Sequence, residues 1–442
     1  MSKEVLTLVM LGGLLLGVLS GYYLAVPIAL VSLLVGYLLF GDAVGTIVYE
    51  RLYAIYYNYI LAAIPLFIFM GIMLEKAGIA EKLYDALFLV LGGLRGGLAL
   101  TTVVVGTVLA ACVGVIGASV TMLATMSLPS MMKRGYDKSL SAGSVCAGGS
   151  LGVLIPPSTY LILYGSVSYL SVGKLFMGAF VPGFLLCGLY CTYIAVRCVL
   201  QPMVGPAIPR EERASVPTLA KLKLFFTTLL PVAVLIMSVL GVIFLGIAPP
   251  TEAAAVGASV ATLLAVAYRK LTWRVFRETA MTTMRMTSMI LLIGGASYIF
   301  TGVFIRGGAG NVVESFVLAA PFGRWGAFAV SMFIVFMLGF FIDPIGIIFI
   351  ITPLLVPLAP ALGFNEIWFA IMIIVNLQMA LMTPPFAVSI FYLRGAADPS
   401  LGVDTAAIIR GVAPFVVLVA LSLVILTIFP VLITWLPDMM IR

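Results

Sequence analysis

Histidine is absent from this sequence of 442 residues, and charged residues are scarce along its whole length. Without histidine, the chain can form neither a Cys/His zinc site nor a Cys–His nucleophile. Charged residues make up 9% of the chain and hydrophobic residues 63%, whereas a soluble domain carries about 25% charged and about 45–50% apolar residues. A water-soluble fold of this length could not bury so much apolar surface, so the composition indicates a polytopic membrane protein.

Motifs for catalysis are missing as well. No GxxxxGK[ST] phosphate-binding loop and no acid-rich metal motif occurs, and the five cysteines lie in or beside apolar runs. The net charge of +7 comes from Lys and Arg residues that lie mostly in short connections between apolar runs, where they orient a membrane protein. We therefore expect no enzyme, no catalytic residue, no cofactor and no nucleic-acid partner.

Apolar runs long enough to cross a bilayer as helices recur along the chain, and they predict an all-α fold. The expected spans lie at residues 5–20, 24–41, 59–74, 139–169, 175–196, 224–246, 251–268, 286–304, 366–393 and 412–434. Two further runs, 97–132 and 325–360, are too long for one span, and glycines interrupt both near the middle. We expect each of these two runs to form a re-entrant helical hairpin.

A shift of 228 residues superimposes the two halves of the sequence. In each half a span, an interrupted hairpin, a turn and a long span with a Pro-Pro pair follow in the same order. Chance matching of common residues is the alternative, but it does not account for the shared order. The matched positions are Pro129 with Pro357, Gly135 with Gly363, Pro156-Pro157 with Pro384-Pro385, and Tyr164 with Tyr392.

The basic residues of the two hairpin turns predict that the repeat is inverted. Lys133, Arg134 and Lys138 surround the first turn, whereas the matching residues 361–366 include no basic side chain. The positive-inside rule places the first turn in the cytoplasm and the second turn outside. The two halves then cross the membrane in opposite senses, and both termini lie outside.

These patterns divide the chain into five segments. We expect N-terminal scaffold helices at 1–58, and a first inverted repeat at 59–170 with hairpin 97–132 and broken span 139–169. Scaffold helices and a cytoplasmic loop follow at 171–285. The second inverted repeat lies at 286–394, with hairpin 325–360 and broken span 366–393, and a C-terminal helix occupies 395–442.

The Pro-Pro pairs in the middle of two spans predict ion sites. Proline has no N–H group and disrupts the preceding helical turn, so backbone carbonyls lose their donors. Freed carbonyls and nearby hydroxyls are oxygen ligands suited to Na⁺, as in transporters with discontinuous helices. A structural kink without a ligand is the alternative. The candidate sodium ligands are Gly117, Ala118, Ser119, Gly149, Ser150, Gly152, Pro156, Ile342, Asp343, Gln378, Met382 and Thr383.

Polar residues near the same breaks are candidates for substrate binding. Asp343 stands in the break of the second hairpin, and ionisable residues at membrane depth are usually functional. Asn376 could serve the site or form a hydrogen bond within the core, and Arg306 could attract an anion or lie at the membrane interface. The candidate substrate-binding residues are Ser119, Thr121, Ser158, Asp343, Asn376 and Arg306.

Six segments of the sequence resemble the large membrane subunit of tripartite ATP-independent periplasmic (TRAP) transporters. The most specific are LPSMMKRGYDKSLSAG at 128–143 and GSLGVLIPPS at 149–158. The others are AAIPLFIFMG at 62–71, LRGGLAL at 94–100, PPTEAAAVGA at 249–258 and FIDPIGIIFIITPLLVP at 341–357. The first hairpin departs from many relatives in having Ala118 between Gly117 and Ser119, which puts the role of Ser119 in doubt.

The resemblance implies a fold, a mechanism and two partners. It implies an elevator-type secondary transporter of the ion-transporter superfamily, driven by Na⁺, in the bacterial inner membrane. It also implies a small four-helix membrane subunit and a periplasmic binding protein that delivers an organic acid. Alternatives are a related anion transporter without a binding protein, a passive channel and a membrane-embedded enzyme.

Overall fold

A computed structural model describes residues 2–114, 116–207 and 218–440, and these residues form helices joined by short connections. Within the predicted cytoplasmic loop, residues 208–217 lie outside this description. The helices are α1 (Lys3–Leu19), α2 (Ala25–Phe40), α3 (Val44–Tyr56), α4 (Ala63–Lys76), α5 (Ile79–Leu91), α6 (Gly97–Val113), α7 (Ile116–Lys133), α8 (Lys138–Ser150), α9 (Thr159–Ser168), α10 (Val172–Leu200), α11 (Thr218–Ile236), α12 (Val242–Phe244), α13 (Pro250–Ala267), α14 (Trp273–Arg306), α15 (Ala309–Leu318), α16 (Gly323–Leu338), α17 (Pro344–Leu355), α18 (Leu358–Ala361), α19 (Glu366–Met382), α20 (Val388–Ala396), α21 (Thr405–Ile428) and α22 (Val431–Asp438).

Seven helical stretches of the described chain are long and apolar enough to cross a membrane, and they match seven of the ten predicted spans. Two of the other three predicted spans are broken helices, and the third is α1 with 17 residues. Residues 42–58, which separate two predicted spans, form α3 over most of their length. The seven stretches are Ala25–Tyr56, Tyr59–Lys76, Val172–Leu200, Phe226–Phe244, Pro250–Ala267, Trp273–Arg306 and Thr405–Ile428.

Both predicted hairpins are present. Helices α6 and α7 meet at Gly114, which has a φ of +61°. This left-handed conformation suits glycine, because a residue without a β-carbon adopts it at little cost. Helices α16 and α17 meet at residues 339–343, where the Asp343 side chain accepts a hydrogen bond from the Ile345 N–H at 2.9 Å and caps α17.

Both Pro-Pro spans are discontinuous. Helix α8 ends at Ser150, one 3₁₀ turn (Leu151–Val153) follows, and α9 begins only at Thr159. Helix α19 ends at Met382 and α20 begins at Val388. These hairpins and broken helices confirm the predicted fold class, an all-α polytopic membrane protein built from an inverted repeat.

The shift of 228 residues also relates helices that lie outside the segments in which the sequence showed the repeat. Helices α5 to α10 correspond to α15 to α21, and α2 corresponds to α13. Helices α3 and α4 together correspond to α14, so one half has two helices where the other half has a single continuous one. The repeat therefore includes helices outside the predicted repeat segments.

Two groups of helices can be distinguished by their packing. In the first, here called the support group, α2, α3 and α4 pack on α14, and α4 also packs on α13. In the second, here called the hairpin group, α6, α7 and α21 pack on α8, while α16 and α21 pack on α19. Helix α10 contacts α6, α19 and α21 and lies with the hairpin group, although the sequence placed it in a scaffold segment. The division into scaffold and moving segments stays a prediction.

Candidate ion and substrate site

The tip of the first hairpin lies against the break between α8 and α9. A β-carbon placed on Gly114 would come within 2.8 Å of the carbonyl oxygen of Pro157. One placed on Gly149 would come within 2.9 Å of the Cα of Val120, so the start of α7 and the end of α8 touch through their backbones. Because the backbones approach so closely, the carbonyl and N–H groups of the first hairpin tip lie close to those of the break between α8 and α9.

The second hairpin meets its own broken helix in the same way. Gly339 ends α16 so close to α19 that a β-carbon there would collide with the side chain of Ala380. A few residues further on, Asp343 lies at the start of α17. The N-terminus of α17 carries partial positive charge, which the Asp343 carboxylate can balance.

The two halves interlock across the site. Helix α7 of the first hairpin packs on α20, and α17 of the second hairpin packs on α9. A β-carbon on Gly117 would come within 2.8 Å of the Tyr392 ring, so the first hairpin tip touches the second broken helix. The Asp343 carboxyl lies within electrostatic range of the Tyr160 and Tyr392 hydroxyls. Each hairpin thus contacts the broken helix of the other half.

Ser150 and Gln378 meet where the two halves join. They occupy equivalent positions of the repeat, and the Gln378 Nε2 lies 3.4 Å from the Ser150 Oγ. Both side chains are fully buried. The Ser150 hydroxyl also lies 3.5 Å from the Met382 sulfur, and Gln378 Nε2 lies 3.4 Å from the Tyr190 hydroxyl. Ser150 of the first break therefore contacts two candidate residues of the second broken helix, Gln378 and Met382.

Two buried oxygens at the breaks have no hydrogen-bond donor among the described residues. They are the Gln378 Oε1 and the Thr159 Oγ1. Thr159 faces Gly114, because its Oγ1 would lie 3.5 Å from a β-carbon placed there. A buried polar atom without a partner costs free energy, so such atoms call for a bound water or ion. Amide and hydroxyl oxygens are ligands that Na⁺ accepts, so both positions fit a cation.

Not every carbonyl freed by the prolines is available to an ion. The carbonyl four residues before the second proline of each pair belongs to Val153 or Leu381. The Ser158 hydroxyl donates to the Val153 oxygen at 2.5 Å, and the Ser389 hydroxyl donates to the Leu381 oxygen at 2.9 Å. A serine thus satisfies the same carbonyl in both halves, which restricts any ion to the neighbouring oxygens.

The structure brings most of the predicted site residues to the two breaks and the two hairpin tips. That set comprises Gly117, Ala118, Ser119, Gly149, Ser150, Gly152, Pro156, Ser158, Ile342, Asp343, Gln378, Met382 and Thr383. Their assignment as ion or substrate ligands stays a prediction.

Three candidates for substrate binding lie away from these contacts. Thr121 is exposed on α7, one turn beyond the first hairpin tip. The Asn376 amide donates to the Met332 carbonyl of α16 at 2.6 Å, although its Oδ1 has no donor among the described residues. Arg306 forms an ion pair of 2.5 Å with Glu50 at the end of the support group.

Sequence reasoning missed two residues that the fold places at the site. Thr159 follows the first Pro-Pro pair, and its position directly after the candidate Ser158 was the available signal. Tyr160 lies within electrostatic range of Asp343 because α9 packs on α17 of the other half. No local pattern shows which half a broken helix will contact.

Comparisons with known proteins identify the family. The model of the DctM component of tripartite ATP-independent periplasmic transporters matches residues 10–432. A C4-dicarboxylate TRAP transporter large permease protein of Pseudomonas aeruginosa is 30% identical over 86% of this chain and 87% of its own length. An isethionate TRAP transporter permease protein, DctMQ, of Oleidesulfovibrio alaskensis is 29% identical over 77% of this chain but only 53% of its own length.

A solved structure shares the fold. The YdaH transporter of Alcanivorax borkumensis superimposes with a TM-score of 0.59 at 14% sequence identity, over 90% of this chain and 88% of the other. At this identity the likeness supports the architecture alone.

Proposed function

We propose that this chain, which belongs to the DctM family of tripartite ATP-independent periplasmic transporters, imports an organic acid across the bacterial inner membrane together with Na⁺. The family match covers nearly the whole chain. In this proposal a periplasmic binding protein delivers the acid, and a small four-helix membrane subunit completes the membrane complex. The observation that carries the coupling is the meeting of two hairpin tips and two helix breaks around Ser150 and Gln378.

Ion and substrate would share this meeting point. Unpartnered oxygens of Thr159 and Gln378 support cation binding beside the first and second breaks. The N-termini of α7, α9 and α17 point their partial positive charge into the same region, which favours an anionic substrate. A bound Na⁺ and a carboxylate would each stabilise the arrangement that the other needs, and such reciprocal stabilisation couples their binding.

Unequal contacts between the two groups of helices support an elevator mechanism. Helix α6 packs on α4, and α17 packs on α14, but the repeat-related pairs α16 with α14 and α7 with α4 make at most marginal contact among the described residues. An inverted repeat whose hairpin group stood at the midpoint would make both sets of contacts equally. The hairpin group therefore stands to one side of the midpoint, as one end state of a sliding movement would.

The contact between Asn58 and Ser166 supports a displacement of the hairpin group toward the cytoplasm. Ile55 and Tyr56 lie beside Gly294 and Gly295 of α14, roughly halfway between Arg285 and Arg306. The next residues include Asn58, whose amide donates to the carbonyl of Ser166 near the end of α9 at 2.9 Å. The predicted topology places that end of α9 on the outer side. The outer edge of the hairpin group then lies at mid-membrane depth, which corresponds to a site facing the cytoplasm.

Uptake into proteoliposomes tests the proposed function. The chain is reconstituted with its small subunit, and uptake of the acid carried by its binding protein is measured with an inward Na⁺ gradient, with an equal K⁺ gradient and with neither. Uptake that requires both Na⁺ and the binding protein is the expected result. Equal uptake with K⁺ would contradict sodium coupling, and uptake of the free acid at the full rate would favour a transporter that works without a binding protein.

A further inference from the structure

A polar pocket of about 370 Å³ lies between α5 and α7, at the turn of the first hairpin. Glu81, Tyr84 and Asp85 of α5 line one side of it. Ser130 of α7 and Arg134, which directly follows α7, line the other side. The predicted topology places this turn in the cytoplasm, so the pocket lies at the cytoplasmic surface of the membrane.

The repeat-related residues of the second half are all apolar. The second hairpin turn is predicted to lie at the opposite membrane surface, so a difference in depth does not explain the difference in polarity. The inverted-repeat fold therefore does not itself require polar side chains between these helices. The equivalent pairs are Glu81 with Ala309, Tyr84 with Val312, Asp85 with Val313, Ser130 with Leu358 and Arg134 with Leu362.

The two carboxylates of the pocket have no cationic partner among the described residues. Glu81 and Asp85 lie one helical turn apart, and neither takes part in an ion pair there. The Nζ of Lys82 lies 4.2 Å from the centroid of the Tyr268 ring and contacts that ring. Burial and the Glu81 carboxylate raise the pKa of the Asp85 carboxyl. Because like charges one turn apart destabilise a helix, a bound cationic group would relieve their repulsion.

The rest of the lining suits a phosphate group. The guanidinium carbon of Arg134 lies 5.0 Å from the centroid of the Phe88 ring, and its Nη1 lies 3.4 Å from the Ser130 Oγ. The hydroxyl of Tyr84 is buried and has no hydrogen-bond partner among the described residues, so it calls for a bound group. Arg134 would repel a simple cation, and the two carboxylates would repel a simple anion. A zwitterion with an ammonium and a phosphate group fits both sides.

The gap between α5 and α7 depends on where the hairpin group stands. Helix α15 packs on α17, but the repeat-related helices α5 and α7 make at most marginal contact among the described residues. Because the repeat is inverted, sliding to the other side would exchange these two relations, and α5 would close on α7. The pocket is then open only while the site faces the cytoplasm, so an occupant would stabilise that state.

We propose that this pocket binds the phosphoethanolamine headgroup of a membrane lipid, and that the bound lipid favours the cytoplasm-facing state. The ammonium would contact the two carboxylates, and the phosphate would contact Arg134 and the Ser130 hydroxyl. Phe88 and Met126 make part of the lining apolar at the membrane surface, which suits a lipid better than a soluble molecule. Binding of the headgroup is independent of the proposed function, whereas the preference for one state rests on the sliding movement proposed there.

Lipid retention, measured by native mass spectrometry, tests the binding. The purified full chain is delipidated and offered an equimolar mixture of phosphatidylethanolamine and phosphatidylglycerol. The double variant Glu81→Gln with Asp85→Asn should retain at least about 5-fold less phosphatidylethanolamine than the wild-type chain, because it loses two charged hydrogen-bond acceptors. The control Asp42→Asn with Glu314→Gln removes two exposed acids outside the pocket and should retain the wild-type amount. Equal retention by all three proteins, or a preference for phosphatidylglycerol, would overturn the proposal.

Cross-linking between Asn58→Cys and Ser166→Cys, which lie in contact in the present state, tests the preference for that state. The yield should be at least about 3-fold higher in vesicles with phosphatidylethanolamine than in vesicles of phosphatidylcholine alone, and Glu81→Gln with Asp85→Asn should remove the difference. Equal yields for the wild-type pocket would refute the preference. An equal rise on adding soluble phosphoethanolamine to vesicles of phosphatidylcholine would show that the occupant is a soluble molecule and not a lipid.

These outcomes are separable from those of the proposed function. Neither measurement needs Na⁺ or substrate, so a failure of lipid binding leaves sodium-coupled uptake standing. If the two cysteines do not cross-link in any vesicle, the state assigned under the proposed function is wrong, and the preference for it fails as well.

Discussion

The buried contact between Ser150 and Gln378 makes a prediction at the scale of single residues. Replacing Gln378 by Ala removes an oxygen that has no donor among the described residues and is available to an ion. We expect the Na⁺ concentration for half-maximal uptake to rise by roughly 5-fold or more, because a lost buried polar contact costs about 1–3 kcal/mol. The measurement is initial uptake rate against Na⁺ concentration for variants that insert normally.

Asn376 provides the matched control for that substitution. Its amide contacts the Met332 carbonyl of α16 and not the hairpin tips, so Asn376→Ala should lower expression or thermal stability while leaving the Na⁺ curve near that of the wild type. An equal shift of the Na⁺ curve in both variants would show that the effect is not specific to the Gln378 oxygen.

Asp343 combines two roles that one substitution can separate. Its carboxylate caps α17, and its charge lies at the centre of the site. Asparagine is also a good N-cap residue, so Asp343→Asn keeps the cap and removes only the charge. We expect Asp343→Asn to weaken the Na⁺ dependence of uptake without loss of folded protein, as judged by thermal unfolding in detergent. A wild-type Na⁺ curve for this variant would leave Asp343 with a purely structural role.

The sequence predicted the positions of the breaks but not the contacts between them. Glycines, an Asp-Pro step and the two proline pairs are local signals, and they located both hairpin tips and both broken helices. The contact of Ser150 with Gln378 depends on how one half folds against the other, which no local signal records. The repeat register pairs these two positions, so it contained the only sequence clue to their meeting.

At the scale of elements, the contact between Asn58 and Ser166 predicts how the two groups of helices move. In a chain without native cysteines, a short thiol cross-linker between Asn58→Cys and Ser166→Cys should trap the hairpin group and abolish uptake. The repeat-related pair, Met286→Cys with Arg394→Cys, should cross-link only after the group has moved to the opposite side. The measurement is cross-linking yield and uptake before and after reduction of a cleavable linker.

The opposite result would be equally informative. If the cross-linked pair Asn58→Cys and Ser166→Cys imports substrate at the wild-type rate, the hairpin group does not need to slide past the support group. Each single-cysteine variant, treated with the same reagent, controls for modification of one position alone.

Helix α3 shows where sequence reasoning about elements failed. Four tyrosines and the charged pair Glu50 and Arg51 lower the hydropathy of residues 42–58, so the sequence predicts a connection there. The structure forms a helix there, because one side of the segment carries Ile47 and Ile55 into the interface with α14.

At the scale of the whole molecule, the chain is expected to be insufficient for transport by itself. The family to which the chain belongs is that of tripartite transporters, so the partners in the proposed function are expected to be needed. Reconstitution of the chain alone, with the small subunit, and with both partners should give substantial uptake only for the complete set. Uptake by the isolated chain at the rate of the complete set would contradict this expectation.

The shift of 228 residues pairs helices of one half with helices of the other half, and this pairing bears on the balance between the two states of the proposed movement. If the hairpin group slides as proposed, a contact between the two groups in this state has a repeat-related counterpart that would be made in the other state. The contacts made in one state and those made in the other would then contribute similar free energies, so the two states would differ little in stability. Modest differences in ligand affinity between the states could then shift their populations. Weakening one contact and weakening its counterpart should push the equilibrium in opposite directions, and a double substitution at both positions should restore the balance.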